Sequence, residues 1–512
     1  MVKRAGGALL QSISIDPESD RPLGSQIATA IRDIILGGGL RAGDRLPSTR
    51  TLAAELGVSR TTLVEVFERL VAEGLVVSRT GAGTFVSPAI AAKRSLSPAL
   101  AGNRARGGRD SPGAKRGRWI SSQPVFTERL PHSVRAFTTA LPAFDEFPMA
   151  LWSRQTAKHW REQRDVILGY GETAGYPPLR RAIAAHLQAN RGIACDEQQI
   201  FVVNGAQAAF NVIATMLLER GDTVWFENPG AIGARNALSA ASTRLVPIPV
   251  DREGILVAQG LDRAPRFRLA FVTPTHQQPL GITMSLERRF SLLDAAERSD
   301  AWIIEDDYDG EFYYGRHPLP TLKSIDRAGR VFYVGTFSKT LFPALRLGYF
   351  IAPASLVERF NEAFYAYFPG VPSNLQAVVA NFMDEGHFAA HVRRMRRIYR
   401  QRYETFRECS QRRLAGLLDV ESTDSGLHAV GYLRADLAEG EVAVRAEHRG
   451  VTVTPIGRFC VAPVGLNGLV LGFSGIKAAR IRAGVETLEA VLEAMASDRR
   501  PKGPGERALV SG

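Results

Sequence analysis

Five short apolar runs, each ending in a turn of polar groups, restrict the larger part of this chain more than any other feature. Phe201-Val202-Val203 leads into Asn204-Gly205-Ala206-Gln207, and Val224-Trp225-Phe226 into Glu227-Asn228-Pro229-Gly230. Leu269-Ala270-Phe271-Val272 leads into Thr273-Pro274, and Trp302-Ile303-Ile304 into Glu305-Asp306-Asp307-Tyr308. Val331-Phe332-Tyr333-Val334 leads into Gly335-Thr336-Phe337-Ser338-Lys339. Continuously apolar strands that alternate with helical stretches predict a mostly parallel sheet covered on both faces. Polar groups gathered at strand carboxyl ends predict a ligand site along that edge.

The residue types there suit pyridoxal 5'-phosphate, which needs a lysine for its carbonyl, an acid for its ring nitrogen and donors for its phosphate. Lys339 directly follows a buried strand. Asp306 ends another and would keep the ring nitrogen protonated; Asp307 competes with it. Gly205-Ala206-Gln207 opens a helix whose free N–H groups suit a phosphate. Arg346 adds a bidentate partner. Each residue alone has an ordinary alternative: a solvated turn, a surface lysine, a plain helix entry. The combination in this order carries the expectation.

The N-terminal stretch reads differently. Leu23, Ile27, Ile31 and Ile34 recur at helical spacing, and Gly37-Gly38-Gly39 stops that helix. Ser48 is placed to cap a second helix, with Leu52, Ala53 and Leu56 inward, and Gly57 ends it. Ser59 is placed to cap a third, with Leu63, Phe67, Leu70 and Val71 as its apolar face. Leu75-Val76-Val77 and Thr84-Phe85-Val86 read as strands joined through Thr80-Gly81-Ala82-Gly83. Three helices and a hairpin make a winged helix-turn-helix, whose third helix begins with Arg60, Thr61 and Thr62. A guanidinium and two hydroxyls at a helix start can meet base edges and phosphates.

Between the two parts, residues 89–125 lack apolar periodicity and carry eight Lys or Arg against Asp110, a net +7 of the chain's +12. Such a segment is a flexible linker that can also attract a polyanion. The expected division is a DNA-binding module at 1–88, a basic linker at 89–130, a large module at 131–496 and a disordered tail at 497–512. No run approaches the roughly 18–20 apolar residues of a membrane span. Three scattered cysteines make neither a disulfide framework nor a zinc site. A cytoplasmic protein without a metal site is expected.

Two stretches carry a specific resemblance. "GLRAGDRLPSTRTLAAELGVSRTTLVEVFERLVAEGLVVSRTGAGTFVS" resembles the GntR-family DNA-binding domain throughout its length, with Ala42 where proline is usual. The resemblance implies double-stranded operator DNA as partner and contacts at Arg50, Arg60, Thr61, Thr62 and the wing glycine Gly81. From about Arg135 to Met495 the chain is similar to fold-type I aminotransferases. "GYGETAGYPPLRRAIAAHL", "ENPG", "IIEDDYDGEF" and "GTFSKTLFPALRLGY" match the aminotransferase-like half of MocR-type regulators, which fuse both modules. This implies a large α/β domain with a smaller C-terminal α+β subdomain. It implies Lys339 as the lysine bonded to pyridoxal 5'-phosphate, Asp306 at the ring nitrogen and Tyr308 at the ring hydroxyl. Ala206, Gln207, Thr336, Ser338 and Arg346 would surround the phosphate, with Tyr170 reaching it from the other subunit of a head-to-tail homodimer.

Three positions depart from the enzymes of that fold. Ala231 stands where an aromatic usually stacks on the cofactor, and Gln277-Gln278-Pro279-Leu280-Gly281 where asparagine precedes Pro-Thr-Gly, leaving Gln278 at that position. Val470 stands where arginine usually clamps an α-carboxylate, with Arg235 and His428 as substitutes for effector binding. Orientation and differential binding make turnover. Their loss favours a regulator that senses an amino compound, or pyridoxal 5'-phosphate itself, over an active aminotransferase fused to a DNA-binding domain. No catalytic residue is therefore assigned.

Overall fold

A computed structural model describes residues 21–90, 134–162, 168–315 and 318–498, together with Ile13, Ile15, Asp16, Ser19, Ser122 and Gln123. The chain divides into two compact units, Met1–Gly113 and Ala114–Gly512. Most of the expected linker and tail lies outside the described residues.

In the smaller unit, helices α1 (Leu23–Gly37), α2 (Thr49–Leu56) and α3 (Arg60–Ala72) precede the hairpin β1 (Val76–Arg79) and β2 (Gly83–Val86). Left-handed Gly38 ends α1 and left-handed Gly57 ends α2. The Ser48 hydroxyl accepts from Thr51 N at 3.1 Å and that of Ser59 from Thr62 N at 3.0 Å, as expected of N-caps. The core takes Ile27, Ala28, Ile31 and Ile35 from α1 and Leu63, Val66, Phe67 and Leu70 from α3. Two residues of the expected apolar spacings, Leu23 and Val71, are each 40% exposed. Positions 63, 66, 67 and 70 form the i, i+3, i+4, i+7 stripe, and Val71, at i+8, stands at its edge. The Arg32 guanidinium spans from α1 to Glu73 beyond α3, donating to both carboxylate oxygens.

The larger unit is built on eight strands: β3 (Ile200–Val203), β4 (Thr223–Asn228), β5 (Arg244–Asp251), β6 (Gly254–Ile255), β7 (Leu269–Val272), β8 (Trp302–Asp306), β9 (Val331–Thr336) and β10 (Gly348–Ile351). Their order is β3-β10-β9-β8-β7-β4-β5-β6. Strands β9, β8, β7, β4 and β5 run parallel, and β10 runs against both β9 and β3. Every residue of β3, β7 and β10 is buried. One apolar cluster, including Phe201, Phe271, Ile304 and Phe350, lies against one part of the sheet, and another, including Trp225, Ala270, Ile303 and Val331, against a different part.

A second, antiparallel sheet orders β11 (Leu418–Val420), β12 (His428–Leu433), β14 (Gly468–Gly472) and β13 (Thr454–Pro455). Helices His387–Arg413, Glu439–His448 and Ala478–Asp498 accompany it, giving the smaller α+β part. The last helix runs through Asp498, whose carboxylate meets Arg445 at 2.9 Å. The helix thus passes the expected boundary at 496/497, and residues 499–512 lie outside the described residues.

Candidate cofactor site and nucleic-acid interface

Sheet register assembles the site. Gly348 pairs with Val203 on one side and with Thr336 on the other. Three chain segments therefore meet there: Asn204-Gly205-Ala206 leaving β3, Thr336 to Lys339 leaving β9, and Arg346 entering β10. The approach is close enough that a Cβ on Gly348 would lie 2.8 Å from Gly205 C and 2.9 Å from Ala206 N. Ala206 is the first residue of helix α4 (Ala206–Leu217), so its free N–H groups face this junction. The exposed Gln207 donates its Nε2 to Gly233 O at 2.8 Å. Thr336 Oγ1 accepts from Ser338 N at 3.1 Å, capping the short helix Phe337–Thr340 that carries Lys339. Arg346 is exposed and left-handed, with φ 51°.

Ser338, Lys339 and Arg346 line a pocket of about 690 Å³ with apolar walls that include Leu141, Phe147 and Trp152. Lys339 Nζ donates to Ala140 O at 2.9 Å. Asp306 lies behind it, 5% exposed, and its Oδ1 has no hydrogen-bond partner. Burial raises the Asp306 carboxyl well above the usual range, the charges of Asp307, Asp309 and Glu227 push the same way, and the Lys339 ammonium partly opposes them. A protonated ring nitrogen would supply both the missing partner and the missing charge, so the residues fit pyridoxal 5'-phosphate.

The two adjacent aspartates differ in their surroundings. Successive strand side chains point to opposite faces. Asp307 Oδ2 is taken by Arg191 Nη2 at 2.5 Å and by Tyr333 Oη at 2.6 Å; Arg191 and Tyr333 are buried, and the Asp307 side chain is 3% exposed. Asp307 Oδ1, like Asp306 Oδ1, has no hydrogen-bond partner, so the difference between the two is the Arg191 ion pair on Asp307 and the Lys339 ammonium acting on Asp306.

Tyr308 is 8% exposed, and its hydroxyl lies 3.0 Å from His276 Nδ1. Gln278 is half-buried, and its N–H donates to Thr273 Oγ1. Its neighbour Gln277 is buried, its amide donating to Glu227 Oε2 and Pro229 O. Ala231 is buried at the start of a helix, Ile232–Ala240. Val470 is 1% exposed, in an apolar cluster with Ile232, Leu280, Val430, Ile456 and Phe459. Arg235 is turned to backbone carbonyls, donating to Cys460 O at 2.9 Å and Arg458 O at 3.2 Å. His428 Nε2 lies 2.9 Å from Pro279 O, and its ring centroid is 4.8 Å from that of His276. Tyr170 is fully exposed.

Sequence reasoning missed His276 and Asp309. Both sit in turns already singled out, His276 two residues before Gln278 and Asp309 one after Tyr308, and that placement was the available signal. His276, Asp309 and His428 each bring a ligand atom within 4.8 Å of the others, a metal-like grouping that the expected absence of metal ligands did not anticipate.

In the smaller unit, Arg60 and Thr61 are exposed at the first turn of α3, and Arg50 is exposed on α2. The Thr62 hydroxyl is already 2.8 Å from Ser59 Oγ. Gly81 is left-handed at φ 73° in the β1–β2 turn, with open space around it.

Residues 144–467 match the family model "Aminotransferase class I and II", and residues 23–86 match "Bacterial regulatory proteins, gntR family". The probable rhizopine catabolism regulatory protein MocR of Rhizobium meliloti is 38% identical over 94% of this chain and 96% of its own length. The HTH-type transcriptional regulator TauR of Rhodobacter capsulatus is 32% identical over 94% and 99%. Among solved structures, the α-aminoadipate aminotransferase LysN of Thermus thermophilus, complexed with N-(5'-phosphopyridoxyl)-L-leucine, aligns with TM-score 0.69 and 26% identity. That alignment covers 75% of this chain and 98% of LysN.

Proposed function

The chain belongs to the gntR-family regulators of the MocR kind, in which an aminotransferase class I and II module accompanies the DNA-binding one, and on that premise we propose that it is a DNA-binding transcriptional regulator whose larger unit uses pyridoxal 5'-phosphate to read a small molecule. The observation that carries the reading is Lys339 beside a buried carboxyl, Asp306, with an unpartnered oxygen, in a chain that also presents an exposed helix start bearing Arg60. When bound, the cofactor supplies a carbonyl carbon that bonds covalently to amines and a ring that withdraws electrons.

The chain's own residues do the rest. Lys339 provides the amine that holds the group. Asp306 shares a proton with the ring nitrogen. Tyr308, with Gln278, meets the ring hydroxyl. The N–H groups at Ala206 and Gln207, the hydroxyls of Thr336 and Ser338 and the Arg346 guanidinium hold the phosphate. Tyr170, fully exposed in one subunit, is assigned to the partner's phosphate in a head-to-tail homodimer. Arg50, Arg60, Thr61, Thr62 and Gly81 are assigned to operator DNA; because Ser59 already engages the Thr62 hydroxyl, Arg60 and Thr61 carry most of the contact.

The molecule read is an amino compound or pyridoxal 5'-phosphate itself. Val470 sits among apolar side chains and offers no cation to an α-carboxylate, and two of the five Arg235 N–H donors are committed to backbone carbonyls, which turns that guanidinium toward residues 458–460. Burying an unpaired carboxylate is costly. This supports an effector without an α-carboxylate, with His428 on the pocket wall, and sensing rather than transamination. The matched spans support a DNA-binding module at 1–88, a linker at 89–130 and an aminotransferase-like module from 131. Among the described residues, no helix is long and apolar enough to cross a membrane; the match to DNA-binding bacterial regulators supports a cytoplasmic setting.

Borohydride reduction of the yellow protein should leave the cofactor covalently attached to the peptide containing Lys339. An adduct on another lysine, or none, would overturn the assignment.

A further inference from the structure

His276 is 2% exposed in the turn after β7, and Asp309 is 2% exposed in the turn after β8. The His276 ring lies where any Cβ on Gly426 would collide with it, and a Cβ on Gly281 would stand 3.1 Å from its Nε2. Glycine at both positions leaves the room that the ring occupies. Its Nδ1 is 3.1 Å from Asp309 Oδ2 and 3.0 Å from Tyr308 Oη. A nitrogen lone pair facing a buried carboxylate would be repelled, so Nδ1 carries the proton. That N–H is shared between Asp309 and the Tyr308 oxygen. Tyr308 then accepts from His276, and the phenolic proton is what it has to give.

We propose that Asp309 and His276 are positioning residues that hold Tyr308 as a hydrogen-bond donor toward the ring oxygen of the bound cofactor. The inference rests on the assignment of Tyr308 made under Proposed function. A purely structural pair would be expected to satisfy its polar atoms. Here His276 Nε2 and Asp309 Oδ1 are buried without partners, and besides the ion pair the bond that His276 Nδ1 makes is to Tyr308. The titratable groups facing His276 are Tyr308 and Asp309 from the turn after β8 and His428 from β12.

The test uses the full-length protein, pyridoxal 5'-phosphate as probe, and the variants His276→Leu, His276→Asn, Asp309→Asn and Tyr308→Phe. A donor to the ring oxygen favours its deprotonated form. In His276→Leu the midpoint of the visible-absorbance pH titration should move to higher pH, and the cofactor dissociation constant should weaken on the order of tenfold, with the Lys339 adduct retained at saturating cofactor. His276→Asn, which restores an N–H near the Nδ1 position, should recover most of both effects. Tyr308→Phe should reproduce the shift, and adding His276→Leu to it should change nothing more. Asp309→Asn gives the same reading should the leucine variant not fold. Unchanged titration midpoints, or effects of His276→Leu and Tyr308→Phe that simply add, would overturn the proposal. Absence of the Lys339 adduct in the unaltered protein would instead overturn the cofactor reading beneath it.

Discussion

Asp306 and Asp307 are adjacent and chemically identical, yet their surroundings give them different work. Asp307 is ion-paired with Arg191 and accepts from the Tyr333 hydroxyl through the same oxygen. Asp306 lacks such a partner and pays in burial. Glu227 shows the same physics without a ligand in view. It is fully buried, one oxygen accepts from Thr273 N and Oγ1 and from Gln277, and desolvation pushes its carboxyl up to about 7. The folded chain therefore holds this proton more tightly than the unfolded chain does. Ionisation opposes folding: the penalty begins above the ordinary glutamate value of 4.5 and is complete above about 7. Glu227→Gln, which cannot ionise, should gain on the unaltered protein by up to about 3 kcal/mol between pH 5 and pH 8. Urea midpoints at the two pH values measure this, and parallel pH dependences of the two proteins would contradict it.

At the scale of elements, the site is a consequence of strand register. The reversed strand β10 lies between β3 and β9, so the start of α4 and the turn carrying Lys339 flank Gly348. No flexible side chain stands at that contact; the neighbours are backbone atoms of Gly205 and Ala206. Gly348→Ala should push the α4 N-terminus away and weaken uptake of pyridoxal 5'-phosphate by at least tenfold, the loss of about one charge-assisted hydrogen bond. Fluorescence titration of the cofactor-free protein would read the change, and unaltered affinity would show that α4 does not hold the phosphate. In the smaller unit the comparable element is α3, whose first turn is fixed by Ser59. Ser59→Ala should cost about 1 kcal/mol of stability through the lost cap, visible as a lower unfolding midpoint.

Across the whole molecule, the two units have separate apolar cores, one built from Ile13 to Val86 and the others from Phe137 onward. Damage in one should therefore spare the intrinsic chemistry of the other. Arg60→Ala should weaken specific DNA binding by about 1–3 kcal/mol if Arg60 reads a base, while the Lys339 adduct forms as before. An equal loss on random DNA would make Arg60 a phosphate contact only. The sequence by itself determined the two-module plan, the caps at Ser48 and Ser59 and the buried parallel strands, because these are local: periodicity, stop signals and motif spacing are written in neighbouring residues. It could not give Asp306 and Asp307 their different surroundings, put Val71 on the apolar face of α3 and overlooked the His276–Asp309 pair. Those depend on which groups, far apart in the chain, share a desolvated space. Arg191 meets Asp307 across 116 residues, Arg445 meets Asp498 across 53, and His276 meets Tyr308 across 32. Burial and pairing at such separations exist only once the sheet has closed, and only the tertiary structure could decide them.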